Sequence, residues 1–425
     1  MRAVASAEDN GSVSTQSQTV TYTLADQADD RYRRVAFDVP PGSPSLEVTI
    51  AVDDPDAVID LGCEGPAGWR GWSGANRRGF VIGAWEATPG YVPGELEPGE
   101  WAVMLGLHLL PAGRVRVVVT IAVPATRDPE SEPDAQPYEG RRGSERRLPA
   151  PVGLTWWATD LHSHTLHSDG TQSIAQLAAW ARRSGLDALA ITDHNTVSHH
   201  RLLPGVASRQ GITLIPGQEV TTHRGHANAY GDIGFVDFRR PADEWLATVS
   251  ERAGLLSANH PTDGDCSWLH PLRTPAVEAF HISWCRDLTA TTTWAFLRWY
   301  VEPIHVLLGG SDVHDPAQGW NPGTPTTWVL AAENTPDALL DALIAGRTAI
   351  SIGTRPDATV DPFGSPVLLR LDDELIALEA SGCTLVDAEG ARRVIVGDRV
   401  SIRPPWGTGP YRLEDSRRWV VAVVS

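Results

Sequence analysis

The chain has 425 residues, more than one ordinary hydrophobic core accommodates, and its 42% hydrophobic content gives two or three domains enough apolar surface to bury. Lys and Arg number 35 against 53 Asp and Glu, a net charge of −18 that disfavours long polyanions such as duplex nucleic acid but leaves a small, metal-held anion open. No stretch approaches the roughly 20 consecutive apolar residues of a membrane span, the first ten residues lack the pattern of a secretory signal, and Cys63, Cys266, Cys285 and Cys383 show no CxxC spacing, so free thiols and a cytoplasmic location are expected.

The first 18 residues are polar and expected to fray. Residues 19–24, 32–39 and 46–52 then alternate apolar and polar side chains at period two, with Pro-Gly or acidic turns between them, and 101–110 and 115–123 continue the pattern. An antiparallel β-sandwich over residues 1–123 follows, with Trp69, Trp72 and Trp85 in or near it. Those tryptophans suit core packing, and they also permit a carbohydrate-binding face. Residues 124–154 open with a stretch crowded with Pro, Glu, Asp and Arg and read as a linker.

From Thr155 the rhythm becomes alternating strand and helix. Ile174, Leu177, Ala178 and Ala181 fall at helical spacing with Gly185 as a stop, and 197–210, 242–253, 289–301 and 336–345 are further helices, the last capped by Gly346. Short apolar runs at 188–192, 213–216, 255–258 and 306–310 predict buried strands. Over 155–354 these elements give an α/β domain. Beyond it, β-like runs at 367–371, 393–396 and 419–424 predict a small β extension over 355–425.

His162, His164, Asp169, His194, Glu219, His226, His260, Asp312 and His314 recur through this middle region, most of them just after an apolar run. In a β/α barrel, strand ends converge at one mouth, so such residues meet there. A His-x-His pair in extended backbone points both rings to one face. Any one of the 14 histidines is by itself more readily a surface or satisfied core residue; the set is what indicates a metal site. Imidazole with carboxylate suits zinc, manganese or iron better than calcium, which takes oxygen ligands.

These residues sit in an HxHTxxSDG block from His162, a Thr192-Asp193-His194-Asn195 segment, Gln218-Glu219, Gly225-His226, Asn259-His260-Pro261 and Gly310-Ser311-Asp312-Val313-His314. In order and content they resemble the PHP superfamily of metal-dependent phosphoesterases, and within it the CehA/McbA family of metallohydrolases, over roughly residues 155–354. The resemblance implies a distorted (β/α)7 barrel holding two or three divalent metal ions at the strand C-termini. It implies a first metal on His162, His164, Glu219 and Asp312. Glu219 would bridge to a second metal on His226 and His260, and Asp169, His194 and His314 would hold a third. His223 competes with His226 for its place, although the Gly-His-Ala-Asn context favours His226.

The expected chemistry is hydrolysis. A carboxylate with two oxygens can span two cations roughly 3.5 to 4 Å apart, and a water they share becomes a hydroxide nucleophile near neutral pH. Asp193 is expected to orient His194 or that water. Relatives often carry Asn where this chain has His281, a residue that could bind substrate, protonate a leaving group or hydrogen-bond within the barrel. Arg224, Arg286 and His223 are candidates to hold an anionic substrate, and Trp284 and Trp320 hint at an apolar or ring-bearing one. A small phosphomonoester or phosphodiester leads; a carbamate, ester or amide is the alternative for the same metals. A binding module with a structural metal is the reading from another class, although all nine positions keep competent side chains. Metal identity, substrate and oligomeric state stay open.

Overall fold

The computed structural model describes residues 13–282, 306–353, 364–403, 407 and 409–425. The helix expected over 289–301, together with Trp284, Cys285 and Arg286, lies outside the described residues. The chain divides into two compact units, Met1–Glu132 and Pro133–Ser425.

In the first unit the strands are β1 (Ser14–Thr23), β2 (Tyr32–Val39), β3 (Ser45–Val52), β4 (Val58–Gly65), β5 (Gly68–Gly74), β6 (Gly79–Gly83), β7 (Gly99–Leu109) and β8 (Arg114–Val123). A short helix, α1 (Leu24–Asp29), is capped reciprocally by Thr23 and Asp26. The strands make two four-stranded antiparallel sheets, ordered β1-β8-β3-β6 and β2-β7-β4-β5. One apolar core draws on both: Val35 and Phe37 of β2 pack with Val117, Val119 and Ile121 of β8, while Ala36 and Asp38, which alternate with them along β2, face solvent. Trp101 and Trp72 are buried; Trp85, by contrast, is 86% exposed.

The second unit starts from a mixed sheet. Its strands are β9 (Thr155–Asp160), β10 (Ala188–Ile191), β11 (Thr213–Thr222), β12 (Gly225–Tyr230), β13 (Leu255–Ala258), β14 (Ala276–His281), β15 (Val306–Gly310), β16 (Thr326–Ala331) and β17 (Thr348–Ser351). Neighbours run in the order β15-β14-β13-β12-β11-β10-β9-β16-β17. β9, β10 and β11 pair in parallel, as do β13, β14 and β15. β12, however, is antiparallel to both its neighbours, and β16 is antiparallel to β9. The parallel order expected of a β/α barrel is thus interrupted, because only His223 and Arg224 lie between β11 and β12 and no crossover helix fits there. The sheet curls so that β15 meets β16 and β17 through side chains: Thr327 Oγ1 bonds both N (2.8 Å) and O (2.9 Å) of Gly309, and Thr348 Oγ1 donates to Leu307 O at 2.9 Å.

The helices follow the sequence pattern with one shift. α2 (Ile174–Arg183) begins at a Ser173–Gln176 capping box and buries Ile174, Leu177, Ala178 and Ala181. The helix expected from 197 begins as a 3-10 turn at His200–Leu202 and becomes α3 (Leu203–Gln210) only where Pro204 supplies a favourable first turn. α4 (Ala242–Glu251) and α5 (Pro336–Ile344) follow among the described residues, and α5 places Leu339, Ala342 and Leu343 in the same core as Leu161, Ile215 and Leu308.

Two segments differ from the expected boundaries. Residues 133–150 are laid against the second unit: the Gly143 amide donates to Gly185 O at 2.7 Å, Ser144 donates to Asp187 through backbone and hydroxyl, and a Cβ at Gly143 would collide with Ala158. The C-terminal strands β18 (Val367–Leu371), β19 (Glu374–Leu378), β20 (Thr384–Val386), β21 (Arg392–Val394), β22 (Arg399–Ile402), β23 (Tyr411–Glu414) and β24 (Val420–Val424) belong to the second unit. β24 pairs with β17 and extends the large sheet through β23, β20 and β21, while β18, β19 and β22 make a small sheet of their own.

Candidate metal centre

Every element of the curled sheet from β9 to β15 delivers a side chain to one buried cluster. His162 and His164 follow β9, His194 follows β10, Glu219 lies within β11 and His226 within β12. His260 follows β13, His281 ends β14, and Asp312 and His314 follow β15. The antiparallel β11–β12 register sets Glu219 opposite Asn228, which makes His226 its diagonal neighbour on the same face.

Glu219 is the hub. Its Oε1 lies 3.1 Å from His226 Nδ1, 3.3 Å from His162 Nε2 and 3.4 Å from His260 Nε2. Its Oε2 lies 2.7 Å from His194 Nδ1 and 3.5 Å from His164 Nε2. Asp312 is a second focus, with Oδ1 at 3.0 Å from His164 Nε2 and 3.2 Å from His162 Nε2, and Oδ2 at 3.4 Å from His281 Nε2. Asp169 gathers His314 (3.3 Å) and His194 (3.5 Å) on one oxygen. The sets close enough to share an ion are His164, Asp169, His194 and His314; His162, His164 and Glu219; His194, Glu219 and His226; and His162, His260 and Asp312. All nine positions singled out in the sequence therefore converge, although His164 and His194 each face two sets and His260 joins Asp312 as well as Glu219.

The electrostatics favour positive charge at the cluster. Burial works against the proton on His162, but Asp312, Glu219 and Glu278 outweigh it and hold its pKa well above the usual value. Against the same burial, Asp169 and Glu219 raise His194 to about 9, and Asp312 and Asp169 raise His314 to about 10. His164, buried and facing the charges of His314 and His194, drops to about 4. Glu219 and Asp312 are held well below the carboxylate range by the surrounding imidazoles in spite of burial. Protons thus occupy the positions where a metal would place its charge. His162 Nε2, Glu219 Oε2 and His260 Nδ1 are buried without a hydrogen-bond partner, which a coordinated cation would relieve. Imidazole nitrogens and carboxylate oxygens at these spacings fit divalent metal ions.

The supporting shell contains residues to which the sequence analysis gave no role. Glu278 faces His162 Nδ1 at 3.2 Å and accepts the His260 backbone N–H at 2.7 Å. Asn259 donates to Glu219 Oε1 at 2.8 Å. The buried Asp160 carboxylate accepts the backbone N–H groups of Ser311 (3.0 Å), His162 (3.2 Å) and Gly323 (2.7 Å), tying the β9 and β15 ends together. Gly310 has no Cβ because one would collide with Glu278 Oε1 and with His162 Cβ. His260 and Asp312 adopt left-handed backbone, with φ of 25° and 50°, a strained conformation for such residues and one that clusters at functional sites. Acidic residues inside the apolar run of β14 and at the end of β9 were the available signal.

Other expected site residues lie elsewhere. Asp193 turns towards the loop after His164, accepting Thr165 N (2.8 Å), Thr165 Oγ1 (2.7 Å) and Ser168 Oγ (2.7 Å), and it faces His199 at 3.3 Å. It therefore shapes the loop that carries Asp169, and its contacts are not with His194. His223 and Arg224 are exposed at the β11–β12 turn. Arg224 donates to Leu269 O at 3.4 Å, and burial, with Arg224 and His223 close by, lowers His270 to about 4. His226, inside the strand, lies against Glu219, whereas His223 is exposed. Trp320 donates to Ser311 O beside Asp312.

Residues 160–287 match the PHP domain. The chain carries a PHP domain. Over 121 residues it is 25% identical to an uncharacterized protein of Methanocaldococcus jannaschii, covering 26% of this chain and 71% of that one. Over 64 residues it is 38% identical to a 5'-3' exoribonuclease of Haemophilus influenzae, covering 15% of this chain and only 23% of the exoribonuclease. Among solved structures, a two-domain protein of Bacteroides vulgatus containing a predicted PHP-like metal-dependent phosphoesterase aligns at 18% identity and a TM-score of 0.36, covering 70% of this chain and 92% of that one. Asp312 and His314, which complete the cluster, lie beyond the matched span of the PHP domain.

Proposed function

We propose that the PHP domain is a metal-dependent hydrolase that cleaves a small phosphomonoester or phosphodiester. The observation that carries this reading is the placement of both Glu219 oxygens among five histidines supplied by four strands. Such a carboxylate can serve two cations at once. Two or three divalent ions held here would neutralise an oxyanion and lower the pKa of water from about 15.7 towards about 7.

The protein's own contribution is to hold those charges in place. His162 is braced by Glu278, Glu219 by Asn259, and the β9 and β15 ends by Asp160, so the donors are oriented before substrate arrives. His281, 3.4 Å from Asp312 and 4% exposed on its side chain, stands at the cluster's edge, where it can donate a hydrogen bond to a substrate oxygen. Arg224, exposed at the hairpin turn, is the proposed partner of an anionic substrate. A net charge of −18 favours a small substrate over a long nucleic acid.

The test is metal analysis of the purified protein, followed by turnover of phosphomonoesters, phosphodiesters, carbamates and carboxylic esters with manganese, zinc or iron restored. Preferential turnover of phosphoesters supports the proposal. Preferential turnover of a carbamate or ester replaces it with the same metals acting on a carbonyl, and metal retention without any turnover replaces it with a binding module.

A further inference from the structure

By position alone, His194 could serve either of two ions, one with Asp169, His164 and His314 and one with Glu219 and His226. The hydrogen bonds around its ring decide between them. Nδ1 lies 2.7 Å from Glu219 Oε2 and 2.6 Å from Thr221 Oγ1. An ionised carboxylate oxygen only accepts, so Nδ1 carries the hydrogen and donates it. A nitrogen that carries a hydrogen has no lone pair for a metal. In the neutral ring, the form that binds metal, Nε2 keeps its lone pair, and it lies 3.5 Å from Asp169 Oδ1.

Thr221 is itself held in place. Its hydroxyl donates to Glu219 O at 3.3 Å, which leaves lone pairs towards His194. Asn195 clamps its backbone twice: Asn195 Nδ2 donates to Thr221 O at 3.0 Å, and Thr221 N donates to Asn195 Oδ1 at 2.9 Å. Asn195 is buried and adopts left-handed backbone with φ of 54°, from which its own N–H donates to Glu219 O at 2.9 Å. Asparagine is one of the few residues that enter that conformation readily, and it supplies both halves of the clamp. His314 is committed in the same way, since its Nδ1 donates to Asp312 O at 2.9 Å and its Nε2 lies 3.3 Å from the same Asp169 oxygen.

We propose that Thr221 and Asn195 are positioning residues that fix His194 as its Nδ1–H tautomer, committing Nε2 to the ion shared with Asp169 and His314 and withholding the ring from an ion between Glu219 and His226. This rests on the metal-dependent reading given above. The Asp169 side chain is 46% exposed whereas Glu219 is fully buried, so this outer ion faces solvent and has room for a substrate oxygen. Its affinity is set in part by a hydroxyl group that touches no ion.

Titration of the chelator-treated protein with manganese(II) against a chelating indicator tests this. Thr221→Val, which keeps the side-chain shape but removes the acceptor, should weaken one ion by about 10-fold or more and leave the others as in the wild type. Thr221→Ser, which restores the hydroxyl, should recover wild-type affinity. Asn195→Gly accepts the left-handed backbone but lacks the clamp; it should act in the same direction, and it replaces Thr221→Val if that variant unfolds by circular dichroism. Asp169→Ala removes the carboxylate of the outer ion, so adding Thr221→Val to it should weaken the remaining ions no further. Equal weakening of every ion, further weakening in the double variant, failure of serine to rescue, or wild-type affinity in the folded Thr221→Val or Asn195→Gly protein would each overturn the proposal. A wild type that binds no metal overturns the metal-dependent reading along with it, whereas a metal-binding wild type with an unaffected Thr221→Val variant overturns the proposal alone.

Discussion

Glu278 Oε1 lies 3.2 Å from His162 Nδ1, on the opposite side of the ring from Glu219. A carboxylate in that position fixes the imidazole's tautomer and orientation and increases its basicity as a ligand. Glu278 Oε2 meanwhile accepts the His260 N–H, so one side chain braces two members of the cluster.

Glu278→Gln is therefore expected to weaken metal binding by about 10- to 100-fold while leaving the fold intact. Competition with a chelating indicator measures this directly. Wild-type metal affinity in the folded variant would show that the Glu278–His162 contact is incidental.

Gly310 exists to admit that contact. A methyl group there would displace Glu278 or His162, so Gly310→Ala should lower metal content more than it lowers the melting temperature of chelated protein. Parallel metal analysis and thermal melts check the split. A variant with full metal content is inconsistent with the close packing described.

The residues of the cluster were legible because each sits at the end of a short apolar strand or in a compact motif, and strand ends converge. Their brace was not: Glu278 lies inside β14, in a buried run that is otherwise apolar up to His281, and no spacing rule separates it from a core defect. The strands at 255–258, 306–310 and 367–371 have the bounds their composition predicts. The β12 hairpin strand was missed because Gly225-His226-Ala227-Asn228 reads as loop, and it becomes strand through pairing with β11 and β13. Asp193 misled for a related reason. Adjacency to His194 in sequence implied a shared target, whereas successive residues in extended chain point to opposite sides.

The pKa pattern gives a sign for the pH dependence of the metal-free protein. His194 (about 9) and His314 (about 10) are raised, so their contribution to stability is full below the ordinary histidine value of about 6.5 and is lost as pH rises through about 9 to 10. Glu219 and Asp312 are depressed, so theirs is present above about 4 and is lost in acid. Metal replaces the protons, so metal-loaded protein should keep its melting temperature at pH 9 to 10, where chelated protein loses it. Metal binding at neutral pH should also release protons, detectable in weakly buffered solution with an indicator dye. Parallel melting curves for the two forms, with no proton release, would mean that these histidines are not ligands.

Glu219→Gln tests the hub itself. The substitution keeps shape but removes the charge and turns one of two acceptor oxygens into a donor, which then faces histidine nitrogens that a metal site needs as neutral ligands. Metal at the positions served by Glu219 should weaken on the order of 100-fold, while the set of Asp169, His194, His314 and His164, which holds its own carboxylate, keeps an ion. The variant should thus retain part of the wild-type metal and lose nearly all turnover of phosphoesters at metal concentrations that saturate the wild type. Phosphate, expected to inhibit the wild type competitively, should bind the variant poorly for the same reason. Full metal stoichiometry with wild-type turnover would remove Glu219 from the centre of the reaction. Complete loss of metal would instead mean that the four sets form one cooperative cluster, held together through the histidines that they share.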